Sequence, residues 1–204
     1  MSILSKIFNK STISKRRKNA LTAFRKDAVN ALKYLQKNAK TKLDKHLYEL
    51  MEGNVRNTPI MFYPRKVLRQ NVYRIGPYLS SSVTMGEHVN SITIKQQGNQ
   101  VFVLRHHHIN FPSEHLFEGD KITINGIFTL AHEYAHFPKP AIGSFAAKNG
   151  LTSEQAEELM ADMLSAKLAV TLGYPKDRVL EHFAGREIVY GGFPFREWIQ
   201  RVAK

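Results

Sequence analysis

HEYAH, residues 132–136, is the stretch from which the rest of the chain is read. Histidines four apart lie on one face of an α-helix. Both imidazoles can then reach a single Zn²⁺, and the glutamate between them stands beside the open coordination position as a general base. The flanks agree with a helix. Asn125 is a capping residue type, Gly126–Phe137 reads as helical, and Pro138 stops it. Ile127, Leu130, Ala131 and Tyr134 recur at i, i+3, i+4 and i+7, which gives that helix a buried side. The alternative is a structural pair of histidines with no metal.

A catalytic zinc needs a third protein ligand, and the stretch TSEQAEELMADMLSAKLAVTLGYP (152–175) offers one. Thr152 and Gln155 fit a capping box; Gly173 and Pro175 fit a helix end. On this helix of about twenty residues, Leu159, Met163, Ala166 and Val170 form the core stripe. Glu158 and Asp162, four apart, share another face. Glu158 can complete a His-His-Glu site, and Asp162 can hold a ligand imidazole from behind. The alternative is a solvated acidic face, a role that suits Glu154 and Glu157 better.

FTLAHEYAH (128–136) followed by EELMAD (157–162) resembles the gluzincin-type zincin metallopeptidases. The two motifs are most similar to those of the minimal ImmA/IrrE-like peptidases, and ArdC-type antirestriction peptidases carry a similar EExxA segment. The resemblance covers roughly residues 90–175. It implies zinc, peptide-bond hydrolysis and a small twisted sheet packed on the two motif helices. It also implies that His132, His136 and Glu158 are the ligands, Glu133 the catalytic base and Asp162 the supporting acid. Ala135 stands where the family often has glycine, and the residues after Asp162 depart from its usual pattern.

The remaining composition narrows the class. A chain of 204 residues with 43% hydrophobic residues can bury a real core. Without cysteine it has neither a disulfide nor a thiolate metal site. No apolar run approaches a membrane span, and the apolar stretch of MSILSKIFNK is too short for a signal peptide. A cytoplasmic protein is expected, within a host cell or carried in a phage particle.

Charge divides the chain. Residues 1–70 hold 17 Lys and Arg against 4 Asp and Glu, which is the whole net charge of +13; residues 71–204 hold 13 of each. Leu21, Phe24, Ala28, Ala31 and Leu35 form one stripe of a basic amphipathic helix, with a break near Asn38–Thr41. The expected division is a basic helical arm over 1–55 and a zincin-like domain over 56–204. The arm suggests attraction to nucleic acid or another polyanion, with Lys15, Arg16, Arg17, Lys18, Arg25 and Lys26 as candidate contacts. Two roles are open for it: a tether, or helices packed on the core.

Residues 60–125 read as β structure. Ile60–Tyr63, Val72–Ile75 and Ser82–Met85 are short candidate strands, and Ser91–Gln96 with Gln100–His107 forms a hairpin around Gly98. Lys121–Ile124 is one more strand, leading into the HEYAH helix. His106 and His108 share a strand face but have no carboxylate at matching spacing, so the run 106–108 is read as edge histidines. Pro175–Ala184 and Pro194–Ala203 are further helices. His182 and Tyr190 are the downstream candidates for stabilising an oxyanion.

The expected fold is α+β: a small, mostly antiparallel sheet on the HExxH helix and the Glu158 helix, preceded by the basic helices. Two functions compete. One is a zinc endopeptidase acting on a protein or peptide, with the arm holding it near nucleic acid. The other is a basic binding or structural protein with a zincin fold and little turnover.

Overall fold

The computed structural model describes residues 13–63, 87–97, 100–136, 142–183, 194 and 197–198. Their class is α+β. In chain order the elements are α1 (Lys15–Lys37), α2 (Lys42–Asn57), β1 (Ile60–Tyr63), β2 (Glu87–Gln97), β3 (Gln100–Pro112), α3 (Ser113–Leu116), β4 (Phe117–Glu118), β5 (Lys121–Ile122), α4 (Ile124–Ala135), α5 (Ile142–Asn149), α6 (Ser153–Thr171) and α7 (Lys176–Phe183).

The sheet is ordered β1-β3-β2, with β3 central. β2 and β3 form the expected hairpin, antiparallel from Gln97↔Gln100 to Glu87↔Asn110, and longer than its alternating core suggested. β1 runs parallel to β3, pairing Ile60 with Ile109 and Phe62 with Phe111. Side chains two apart on a strand share a face, and Ile109 and Phe111 are both fully buried. Lys121–Ile124 is strand only at Lys121–Ile122, which pairs with Phe117–Glu118 in a separate two-stranded ribbon. The candidate strands Val72–Ile75 and Ser82–Met85 lie outside the described residues. His106, His107 and His108 lie on β3 opposite Ser91, Asn90 and Val89.

Thr123 cuts β5 short. Its hydroxyl accepts from the Gly126 amide at 2.9 Å, making it the N-cap of α4 and displacing Asn125 from the expected role. The same hydroxyl donates to the His115 carbonyl at 3.1 Å. Gly126 is required here. A Cβ at this position would lie 2.8 Å from Thr123 Oγ1 and 2.9 Å from the Leu116 backbone, so α4 and the residue 113–116 turn could not approach as they do.

Helix α6 carries both expected end signals. Thr152 and Gln155 exchange side-chain-to-backbone bonds in a full capping box. At the other end Gly173, at φ +89, lets its own amide reach the Val170 carbonyl and the Tyr174 amide reach that of Ala169. That pair of bonds is the Schellman motif. The buried side of α6 is wider than the expected stripe: Ala156, Leu159, Ala161, Leu164, Ala166, Leu168 and Ala169 are buried, while Met163 and Val170 are half-buried. It packs on α4, α5, α7 and α1, so one narrow stripe would not suffice.

The basic helices α1 and α2 share this core. Phe24, Ala28, Leu32 and Leu35 of α1 and Leu47, Met51 and Val55 of α2 belong to one hydrophobic cluster with Phe128, Leu130 and Tyr134 of α4 and Leu159 of α6. Of the two roles open to these helices, their packing is that of core elements. Their basic residues divide accordingly. Arg17 donates to the Gly119 carbonyl at 2.7 Å with its guanidinium over Phe117, and Arg16 pairs with Asp120. Half-buried Arg25 donates to the Tyr134 hydroxyl at 2.9 Å and to the Thr58 carbonyl at 2.7 Å. Lys15, Lys18 and Lys26 are exposed. No helix among the described residues is long and apolar enough to cross a membrane.

Candidate metal centre

Helix α4 ends at Ala135, and His136 is its C-cap, with extended backbone at φ −74, ψ 119. The helix has the twelve-residue length of the Gly126–Phe137 span expected from its sequence but starts and ends two residues earlier; Phe137 and Pro138 lie outside the described residues. Its core side agrees with the periodicity: Ile127, Leu130, Ala131 and Tyr134 are all buried.

Although His136 has left the helix, the two imidazoles meet. His132 Nε2 and His136 Nε2 are 3.0 Å apart. Glu158, from α6, brings Oε2 to 3.4 Å from His132 Nε2 and Oε1 to 3.7 Å from His136 Nε2. These three residues form a group that can hold a metal ion. Tetrahedral zinc bonds of about 2.0–2.1 Å place neighbouring ligand atoms about 3.3 Å apart. The observed spacings bracket that value.

The far nitrogens explain the orientation of both rings. His132 Nδ1 lies 2.6 Å from Asp162 Oδ1, and His136 Nδ1 lies 3.1 Å from Glu157 Oε1. A carboxylate only accepts, so each Nδ1–H donates and each Nε2 is left to face the centre. Asp162 is fully buried, as expected of a residue that holds His132 from behind. Glu157, expected as a solvated acid, instead does for His136 what Asp162 does for His132.

The centre is strongly negative. Glu133, Glu157, Glu158 and Asp162 surround two imidazoles, and Glu133 and His132 are buried. Burial alone would push the His132 pKa down. The hydrogen bonds His132 makes to Asp162 and Glu158, with the charges of Asp162 and Glu133, outweigh it and raise the pKa to about 10. The site thus favours a positive charge at the point where the ring nitrogens converge. Glu158 and Glu157 are the most accessible of these groups, with side chains 33% and 37% exposed, so the centre opens to solvent on the α6 side.

Residues of the basic helices hold the far end of α4. Asn54 Nδ2 donates to the Tyr134 carbonyl at 2.9 Å and to the His136 carbonyl at 3.0 Å. The last carbonyls of a helix have no partner within it. Asn54 therefore caps α4 from 80 residues away in sequence and fixes the backbone from which His136 projects. Asn54→Ala leaves two carbonyls without this donor and is expected to cost about 1–3 kcal/mol. A lower thermal midpoint in the metal-free protein is the readout; an unchanged midpoint would mean that water replaces the amide.

His182 packs edge-on to Phe128 at 5.1 Å and lines a groove with Thr123, Ile124, Asn125, Arg178 and Glu181, toward the start of α4. Tyr190 lies outside the described residues.

No protein-family model, curated protein or solved structure matches the chain.

Proposed function

We propose that the protein is a zinc-dependent endopeptidase with a zincin-like arrangement of sheet, HExxH helix and Glu158 helix. One observation carries the reading: three ligand atoms converge at tetrahedral spacing, and both histidines are locked from behind by carboxylates. A disused structural site has no need of a buried glutamate between its ligands, yet Glu133 is there. The resemblance of FTLAHEYAH and EELMAD to the ImmA/IrrE-like peptidases points the same way.

His132, His136 and Glu158 would hold the ion; Asp162 and Glu157 would set the ring orientations and raise the basicity of both imidazoles. Bound there, zinc would polarise a scissile carbonyl and make water acidic enough to attack it at neutral pH. Glu133 accepts the proton released as the carbon–oxygen bond forms. It then delivers that proton to the amine nitrogen as the carbon–nitrogen bond breaks. Proton, bond and charge balance without a further co-reactant.

Metal content tests the reading. The purified protein is expected to hold one zinc per chain. Glu157→Ala, which frees the His136 ring, should weaken zinc by about 10–100-fold. Glu158→Ala removes a ligand outright and should weaken it by more than that. Chelator competition measures both. A wild-type protein that takes up no zinc, or a Glu158→Ala variant as tight as wild type, rejects the assignment.

A further inference from the structure

The outward ridge of α1 has a composition that the metal centre does not explain. Lys15, Lys26, Lys33 and Lys37 stand on it, with Asn19, Thr22 and Asn30 between them, and all seven are exposed. The steps from Lys15 to Lys37 are 4, 3, 4, 4, 3 and 4 residues. Their mean of about 3.7 is close to the helical repeat, so the seven form one nearly straight line parallel to the axis. Phe24, Ala28, Ala31 and Leu35 occupy the opposite side and are buried.

No acid interrupts the ridge. The acids nearby are already engaged: Glu52 by Gln36 and Arg56, and Asp120 by Ser14 and Arg16. Glu52 lies near enough to Lys33 to feel its charge. Asp27 is off the ridge, on the side where its charge acts on Tyr174. Among the described residues none of the four lysines is in an ion pair. Ordinary solvated helices interleave both signs. This one presents ammonium groups separated only by amides and a hydroxyl, over a length of about 33 Å.

We infer that this ridge is a docking surface for the phosphodiester backbone of nucleic acid, without sequence reading. A membrane surface fits less well. An amphipathic helix that binds lipid inserts its apolar face, and that face of α1 is already spent in the core. Point charges with the side-chain amides of Asn19 and Asn30 between them suit phosphate oxygens, while the Thr22 hydroxyl donates to the Lys18 carbonyl, and the ridge spans about one turn of a duplex. This surface differs from the six-residue contact set suggested by charge alone: Arg17 and Arg25 hold the fold, while Lys33 and Lys37 join the ridge.

Binding of the full-length protein to a mixed-sequence 30-base-pair DNA duplex tests the proposal by its salt dependence. Four neutralised phosphates give a slope of about −3.6 in log K against log salt, so affinity should fall about 150-fold from 50 to 200 mM NaCl. The variant Lys26→Gln/Lys33→Gln/Lys37→Gln should bind at least about tenfold more weakly at 50 mM, with a slope near −0.9. Lys42→Gln/Lys45→Gln/Lys148→Gln removes the same net charge away from the ridge and should keep the wild-type slope. An RNA duplex of equal length, sharing only the backbone chemistry, should show a similarly steep slope. The inference is overturned if the ridge variant retains the wild-type slope or if the control variant loses as much. It is also overturned if the wild type binds phosphatidylserine vesicles but neither duplex. Thermal midpoints of both variants guard against unfolding, since every substituted lysine is exposed.

Discussion

Glu133→Gln is expected to keep the fold and the metal while lowering peptide hydrolysis by about a thousandfold. The side chain is buried in the last turn of α4, between His132 and His136 in the chain, and its charge reaches His132. Glutamine has the same shape, so packing should survive. An amide cannot accept the proton that water must lose, nor return it to the departing amine. The loss should therefore fall on kcat, with zinc still at one per chain. Mass spectrometry of a peptide library, incubated with equal amounts of wild type and variant, measures the ratio. Cleavage by the variant at the wild-type rate would remove Glu133 from the reaction and with it the proposed mechanism.

The features legible in the sequence are those whose physics is local. Capping boxes, C-terminal glycines and helical periodicity act over a few residues. Thr152 with Gln155, Gly173, and the Ile127–Tyr134 stripe consequently appear in the structure where the sequence put them. The four-residue spacing of Glu158 and Asp162 likewise survived, because both sit on one rigid helix. Thr123 displaced Asn125 as a cap because its hydroxyl also ties α4 to the His115 carbonyl, a contact that no local rule contains. Glu157 departs from the expected solvated role for a related reason. Its partner, His136, has left the helix, so its ring direction does not follow from a helical wheel. The charge count could not say which way Arg17 and Arg25 point. Angular position could have hinted at it for Arg25, which lies on α1 between the outward lysines and the buried Leu32 side.

Removing residues 1–57 is expected to abolish cooperative folding, and with it the metal centre. The +13 charge of the first third invites a picture of a detachable arm. The packing gives a different expectation. Phe24, Val29, Leu32, Leu35, Leu47, Met51 and Val55 are all buried in the cluster that also contains Tyr134 and Leu159. Each large apolar side chain contributes roughly 1.5–3 kcal/mol when buried. Seven of them together contribute about 10–21 kcal/mol, as much as or more than the about 5–15 kcal/mol by which a typical domain is stable. The deletion also strips Arg25 from the Tyr134 hydroxyl and Asn54 from the Tyr134 and His136 carbonyls, leaving the end of α4 uncapped at His136. The truncated protein should be insoluble, or soluble without a sharp thermal transition and without bound zinc. A soluble fragment with a cooperative transition and one zinc per chain would mean that α4 and α6 hold the centre alone. In the intact chain the basic helices then have two separable faces. The inner one supports the His132, His136 and Glu158 cluster through the shared core and Asn54, and the outer one is expected to tolerate neutralisation. The Lys26→Gln/Lys33→Gln/Lys37→Gln variant should therefore retain zinc and hydrolysis, while the deletion loses both.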